Sequence, residues 1–179
     1  MLDTGITSSK SCNNCGSDAH RPLFEANGYR LVECTGCGLA FIANPPSEEQ
    51  LAAIYSADTG YHVQLFDPDG PEFRRMATLG KRHLNILRKT VTGGRLLDVG
   101  CSTGLFLDHA RQAGFACQGM EFSEGSVAFA RSHFGLDVAR GSIHDCHEAD
   151  SSFDAINMFD VIEHVPDPVS DMRKAWRLL

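Results

Sequence analysis

The chain lacks long hydrophobic runs, a surplus of positive charge and an abundance of aromatic side chains. No apolar run approaches the roughly 20 residues that a membrane-spanning helix needs, and residues 1–10 contain no apolar core typical of a secretory signal. These absences predict a cytoplasmic protein with no membrane segment. Apolar residues make up 42% and charged residues 22% of the 179 positions, a balance typical of a globular domain with a sizeable core.

Positive charge is scarce and concentrated in one segment. The 16 Lys and Arg residues face 23 Asp and Glu residues, which gives a net charge of −7. Residues 72–93 hold six basic side chains, but the apolar residues there recur at helical spacing, with the basic ones mostly on the other side. Because phosphate-binding proteins usually present a basic face, we predict a solvated helix and no nucleic-acid partner.

Cysteine, in contrast, is comparatively abundant, with seven residues in the chain. Four of the seven cysteines form the pattern C-x2-C-x18-C-x2-C, at positions Cys12, Cys15, Cys34 and Cys37. This spacing suits a structural Zn²⁺ held by four thiolates in a zinc ribbon. Two disulfides or four free thiols are the alternatives, and a cytosolic location disfavours disulfides. Asn27-Gly28 between the pairs predicts a type I′ hairpin.

Beyond the ribbon the chain divides into two further regions. Ser47 and Gln50 have the spacing of a capping box, and residues 47–93 are predicted to form a helical linker or lid. From residue 94 short apolar strands alternate with helices, the fourth and last strand running over residues 154–165. Such alternation predicts a parallel sheet covered on both faces, with its ligand beyond the carboxyl ends of the strands. The predicted domains are therefore residues 1–46, 47–93 and 94–179.

Two of those strand ends carry acids. Asp98 precedes the small-residue turn Gly100-Cys101-Ser102-Thr103-Gly104, and Glu121 follows Gly100 by 21 residues. Small residues let a ligand approach the backbone, and an acid at the second strand end can accept hydrogen bonds from ribose hydroxyls. The spacing predicts a nucleotide-type cofactor.

The order acid-x-G-x-S-x-G resembles the first motif of class I S-adenosylmethionine-dependent methyltransferases, which reads acid-x-G-x-G-x-G. Residues 119–123, 141–143 and 153–168 resemble that family's next three strand ends. The resemblance covers about residues 70–179, and the ribbon with NPPSEEQLAAIY resembles an N-terminal extension of some members. It implies an α/β fold with a Rossmann-like sheet, incomplete here at about four parallel strands, preceded by a small zinc ribbon.

The resemblance also implies a set of cofactor-binding residues. Asp98 would lie by the methionine ammonium, Glu121 would hold the ribose, and Phe122 would pack on the adenine. The full implied set is Asp98, Gly100, Cys101, Ser102, Gly104, Glu121, Phe122, Ser142, Ile143, Phe159 and Asp160. Ser142 and Ile143 would line the adenine, and Phe159 and Asp160 the methionine side. Core packing is the alternative for Phe122 and Ile143, and a surface position is the alternative for Glu121.

Two positions in the turn give sharper expectations. A serine fits the middle of the motif if its φ is negative, so Ser102→Gly is expected to leave cofactor affinity nearly unchanged. A valine at Gly104 is expected to crowd the cofactor.

His164 is the candidate general base, because a hydroxyl or carbon acceptor must lose a proton; a packed or solvated histidine is the alternative. Asp160, Glu163 and His164 also resemble an acid-x-x-E-H run associated with a divalent metal in ubiquinone-pathway O-methyltransferases. Tyr61 and His62 are candidates to close over the site. The other histidines considered are expected at the surface or in packing: His20, His83, His109 and His133.

The predicted function is methyl transfer from S-adenosylmethionine to an oxygen or carbon of a small-molecule acceptor. The alternatives are an RNA methyltransferase that reads through the ribbon, a non-catalytic remnant, and a dehydrogenase. Because the family's sheet has seven strands and four are found here, we expect a fragment that methylates poorly. The acceptor and the oligomeric state stay open.

Overall fold

The computed structural model describes residues 10–47, 50 and 65–179. A small antiparallel sheet contains β1 (His20–Ala26), β2 (Tyr29–Cys34) and β3 (Ala40–Ile42). A parallel sheet contains β4 (Gly94–Val99), β5 (Phe115–Glu121), β6 (Val138–Arg140) and β7 (Ala155–Asn157). The helices are α1 (Pro71–Leu87), α2 (Leu105–Gln112), α3 (Glu124–Phe134) and α4 (Pro168–Leu178), with a short 3-10 helix at Ile143–Asp145.

The small sheet is built on the predicted hairpin. Asn27 and Gly28 have φ values of +51° and +80°, and the type I′ turn requires a positive φ at both positions. β3 pairs antiparallel with β2 and was not apparent in the sequence pattern. Most of β1 is exposed, so this sheet buries little apolar surface of its own.

The parallel sheet has the strand order β6-β5-β4-β7. The chain adds β5 and β6 on one side of β4 and then crosses to place β7 on the other side. The strand order therefore reverses beside β4, and ligands of such sheets bind at this switch point. Leu96 and Leu97 of β4 have no exposed surface, as expected of a central strand. The predicted α/β fold with four parallel strands is confirmed.

The helices cover the sheet and begin and end where their sequences indicate. Ser123 accepts a hydrogen bond from the Ser126 amide at the start of α3, and Gly135 ends that helix at a φ of +65°. The buried residues of α1 are Gly80 and Leu84. A Cβ at Gly80 would lie 3.3 Å from the Cα of Phe106, so glycine permits α1 to lie close against α2.

The fourth strand is much shorter than predicted. β7 ends at Asn157, and residues 159–164 form turns instead of continuing the strand to residue 165. Asp160 has a φ of +54°, which is incompatible with extended backbone. The apolar run indicated a strand, but the chain must turn away here to reach α4.

The segment that precedes β1 contacts the end of this turn region. The side chains of Lys10 and Asn13 both donate hydrogen bonds to the carbonyl oxygen of Pro166.

The capping box predicted at the start of the linker is confirmed, because Ser47 and Gln50 exchange hydrogen bonds of 2.8 and 3.2 Å. Residues 51–64 of the predicted helical linker or lid, which include Tyr61 and His62, lie outside the described residues. Within those residues, no helix is both long and apolar enough to cross a membrane.

Candidate functional site

Asp98 lies at the carboxyl end of the central strand and is buried. Its register partner on β7 is Asn157, whose side-chain amide donates a 2.5 Å hydrogen bond to the Asp98 carboxylate. Burial raises the pKa of Asp98 to about 7; the nearby Glu121 charge adds to the increase, and the Asn157 hydrogen bond opposes it. A cation placed beside Asp98 would favour its ionised form.

Glu121 ends the neighbouring strand and holds the turn in place. One carboxylate oxygen accepts a 2.8 Å hydrogen bond from the Ser102 amide, and the other accepts a 2.8 Å bond from the Ser123 amide. Each carboxylate oxygen can accept a second bond, so the group retains capacity for ligand hydroxyls. Glu121 is only 7% exposed, which makes it part of the interior edge of the site and not a surface acid.

The turn after β4 has a left-handed backbone at three positions. Gly100, Ser102 and Gly104 have φ values of +69°, +51° and +82°. The expected negative φ at Ser102 is therefore wrong; the carboxylate of Glu121 fixes its amide in this unusual conformation. The amides of Gly100 and Cys101 both donate to the Met120 carbonyl, which ties the turn to β5.

The packing around Gly104 leaves no room for a side chain. A Cβ there would lie 2.6 Å from Leu136 Cδ1 and 3.1 Å from Ala130 Cβ. A Cβ at Gly100 would likewise lie 2.4 Å from Val161 Cγ2. A side chain at Gly104 would therefore first collide with Leu136 and Ala130, and its effect on the cofactor stays a prediction.

The residues predicted to line the adenine fall into two groups. Phe122 is 49% exposed and is available to a ligand, and Ser142 caps the 3-10 helix through a hydrogen bond from the His144 amide. Ile143 has no exposed surface and packs in the core with Leu97 and Met120. Its side chain therefore does not line the site, and the core-packing alternative describes it.

The turn after β7 presents Phe159, Asp160 and His164 at the surface. Phe159 is 40% exposed and stacks on His83 of α1 with a centroid distance of 3.7 Å. The amide of His164 donates to the Val161 carbonyl. Among the described residues, Asp160, Glu163 and His164 do not form a cluster of possible metal ligands.

Two residues of this region went unrecognised in the sequence. Asn157 is the partner of Asp98, and nothing in the strand pattern distinguishes it. His83 was assigned to the surface or to packing, yet it stacks directly on a predicted site residue. Its place beside Leu84 and three residues after Gly80 was a usable signal, because that spacing puts it near the packed face of α1.

The four paired cysteines form a cluster whose sulfur atoms all lie within 4.8 Å of one another. Cys12 and Cys37 have their sulfurs 3.6 Å apart, and Cys15 and Cys34 3.5 Å apart. Tetrahedral zinc with bonds of about 2.3 Å separates its sulfurs by about 3.8 Å, whereas a disulfide holds them at about 2.0 Å. The donor set therefore fits Zn²⁺. The Leu39 backbone, assisted by the Asn14 side chain, lowers the pKa of Cys37 to about 6.

The parallel sheet, with its strand order β6-β5-β4-β7 and acids at neighbouring strand ends, defines an α/β domain of the kind whose ligands bind at the switch point. Residues 71–179, more than half of the chain, match a family model described as a methyltransferase domain. The chain therefore belongs to the class I S-adenosylmethionine-dependent methyltransferases.

Similar proteins agree with this assignment. A ubiquinone biosynthesis O-methyltransferase of Xanthomonas oryzae is 32% identical over 122 residues, 64% of this chain and 51% of that protein. One from Hahella chejuensis is 31% identical over 107 residues, 55% of this chain and 45% of that protein. The chain thus spans about half the length of the curated relatives it matches.

Solved structures share the fold. The cyclase SpnF is 24% identical with a TM-score of 0.59, over 75% of this chain and 57% of its own. A Pyrococcus horikoshii protein is 23% identical with a TM-score of 0.55, over 63% of this chain and 56% of its own. One of these two is a cyclase, so the fold alone does not define an activity.

Proposed function

We propose that the domain over residues 94–179 binds S-adenosylmethionine and that the protein transfers its methyl group to an oxygen of a small-molecule acceptor. The observation that supports this proposal most strongly is the pair of buried carboxylates, Asp98 and Glu121, at neighbouring strand ends. A cationic cofactor gains from both acids, whereas the pyrophosphate of a dinucleotide would be repelled by Asp98. The names of the O-methyltransferase relatives support the choice of acceptor atom.

Each residue of the proposed site would contact a different part of S-adenosylmethionine. Asp98 would hold the methionine ammonium, Glu121 the ribose hydroxyls, and the exposed ring of Phe122 the adenine. Phe159 and Asp160 would border the methionine half. The cofactor supplies an activated methyl group, and the protein's contribution is alignment of acceptor oxygen, methyl carbon and sulfur.

His164 is the proposed base that takes the acceptor proton. It lies on the same surface turn as Phe159 and Asp160. We further propose that the ribbon over residues 1–46 is a separate module held by Zn²⁺, and that residues 47–93 link it to the cofactor domain. α1, which lies in that linker, reaches the site through His83.

Calorimetric titration with S-adenosylmethionine tests the proposal. We expect the chain to bind it and Glu121→Gln to weaken binding about tenfold, since hydrogen bonds to a charged group contribute about 1.5–3 kcal/mol. Glu124→Gln is the matched control, because its side chain is 81% exposed. The proposal fails if NAD binds in place of S-adenosylmethionine, or if Glu121→Gln folds normally and binds as well as the control.

A further inference from the structure

Helix α4 is apolar on two opposite faces. Ala175 and Leu178 are buried in the core beneath the sheet. On the outer side Met172 is 50% exposed and Trp176 is 78% exposed. A helix that is apolar on both faces normally has a partner on each, and large exposed apolar patches mark binding sites.

The outer face of α4 forms one wall of a groove of about 830 Å³. The zinc ribbon forms the other wall through Asn14 and Leu39, and Ile162 of the turn after β7 also lines the groove. This volume lies in the range of sites for small organic ligands, about 300–1,000 Å³. The groove is therefore shared between the ribbon and the cofactor domain, and it borders the turn that carries His164.

The polar groups of the groove indicate the charge of its ligand. Arg173 and Arg177 line it one helical turn apart, and Glu163 is its single acid. Within residues 10–47, 50 and 65–179, neither arginine forms an ion pair. Two guanidinium groups without acidic partners on an apolar surface are complementary to a carboxylate attached to an apolar body.

We infer that this groove is a binding site for a small amphipathic carboxylate. Its apolar chain or ring packs on Met172 and Trp176, and its carboxylate pairs with Arg173 and Arg177. The ligand is a free small molecule that touches both modules. The site does not depend on methyl transfer, so it stands or fails separately from the proposed enzyme activity.

Trp176 is the only tryptophan of the chain, so its fluorescence reports occupancy of the groove directly. Laurate titrated into the 179-residue chain should shift the emission to shorter wavelength and saturate. The double variant Arg173→Gln/Arg177→Gln should bind laurate about tenfold more weakly, since a charge-assisted hydrogen bond contributes about 1.5–3 kcal/mol. Arg82→Gln/Arg88→Gln removes the same charge from exposed positions, one in α1 and one directly after it, and should bind normally.

Dodecyltrimethylammonium, which has the same chain length and the opposite charge, should bind much more weakly than laurate. Equal responses to the two probes would overturn the inference, as would equal losses in the two double variants. A Trp176 shift that follows protein concentration without ligand, together with a dimer in sedimentation, would overturn it too, because a second copy would then cover this face.

Discussion

At position 102 the backbone angle, and not the hydroxyl group, decides what a substitution does. Ser102 has a φ of +51°, a region that is unfavourable for residues with a Cβ and freely accessible to glycine. Ser102→Gly should therefore raise the free energy of unfolding by about 0.5–1 kcal/mol, after allowing for the greater freedom of glycine in the unfolded chain. Urea denaturation measures this change.

Cofactor affinity should stay nearly the same in Ser102→Gly, because the amide that bonds Glu121 is retained. Ser132→Gly, in the regular backbone of α3, is the matched control and should lose about 0.5 kcal/mol. If both variants lose stability alike, the left-handed conformation at Ser102 is not the one that the folded protein adopts.

A second prediction at the residue scale concerns Gly104, where an added Cβ would clash with the buried side chain of Leu136. Gly104→Ala combines a positive φ of +82° with a Cβ only 2.6 Å from Leu136. Gly114→Ala has a comparable φ of +98° and no atom within 4 Å of the new Cβ. Gly104→Ala should therefore be destabilised by about 2 kcal/mol more than Gly114→Ala, in the range that overpacking costs. Equal midpoints in urea would show that Leu136 moves aside freely.

At the scale of elements, local sequence signals predicted which strands and helices are present better than they predicted the residues at which each one ends. Ser123 and Gly135 delimit α3, and both are readable in the sequence because a capping side chain and a C-terminal glycine act within one turn. The end of β7 at Asn157 could not be predicted from the sequence. The left-handed conformation of Asp160, which accompanies it, depends on contacts that no local pattern contains. The motif residues of the site lie at the predicted strand ends, whereas the Asn157–Asp98 bond and the His83–Phe159 stack are long-range pairings that arise only on folding.

The proposed Zn²⁺ site leads to a prediction about the stability of the ribbon. Its exposed β1 strand buries little apolar surface, and structural zinc sites of this kind supply folding free energy directly. We expect elemental analysis to find one zinc per chain in the wild type, and Cys34→Ser to lose it. Cys117→Ser, a half-buried cysteine of β5 outside the cluster, should retain it.

Removing the zinc with a chelator should leave the helical circular dichroism signal nearly unchanged, because α1 to α4 all lie outside the ribbon. A loss of helix on chelation would contradict this independence. So would full zinc retention in Cys34→Ser.

For the whole molecule, burying Asp98 in the middle of the sheet links stability to pH. The folded pKa of about 7 exceeds the unfolded value of about 3.9, so folding takes up a proton between these values. The stability of the wild type relative to Asp98→Asn should therefore be greatest below about pH 4, fall as the pH rises, and level off above about pH 7. Urea denaturation at a series of pH values measures this difference.

Asp145→Asn is the control, because hydrogen bonds from the Ser142 backbone and side chain lower the pKa of Asp145. Its contribution is present above the unfolded pKa and is lost at acid pH, so between about pH 5 and about pH 8 it should vary much less than that of Asp98. A bound ammonium group favours ionised Asp98, so affinity for S-adenosylmethionine should rise with pH toward about 7, by at most about tenfold per unit. Stability and affinity should thus change in opposite directions across one interval, and parallel changes would mean that Asp98 does not face the cation.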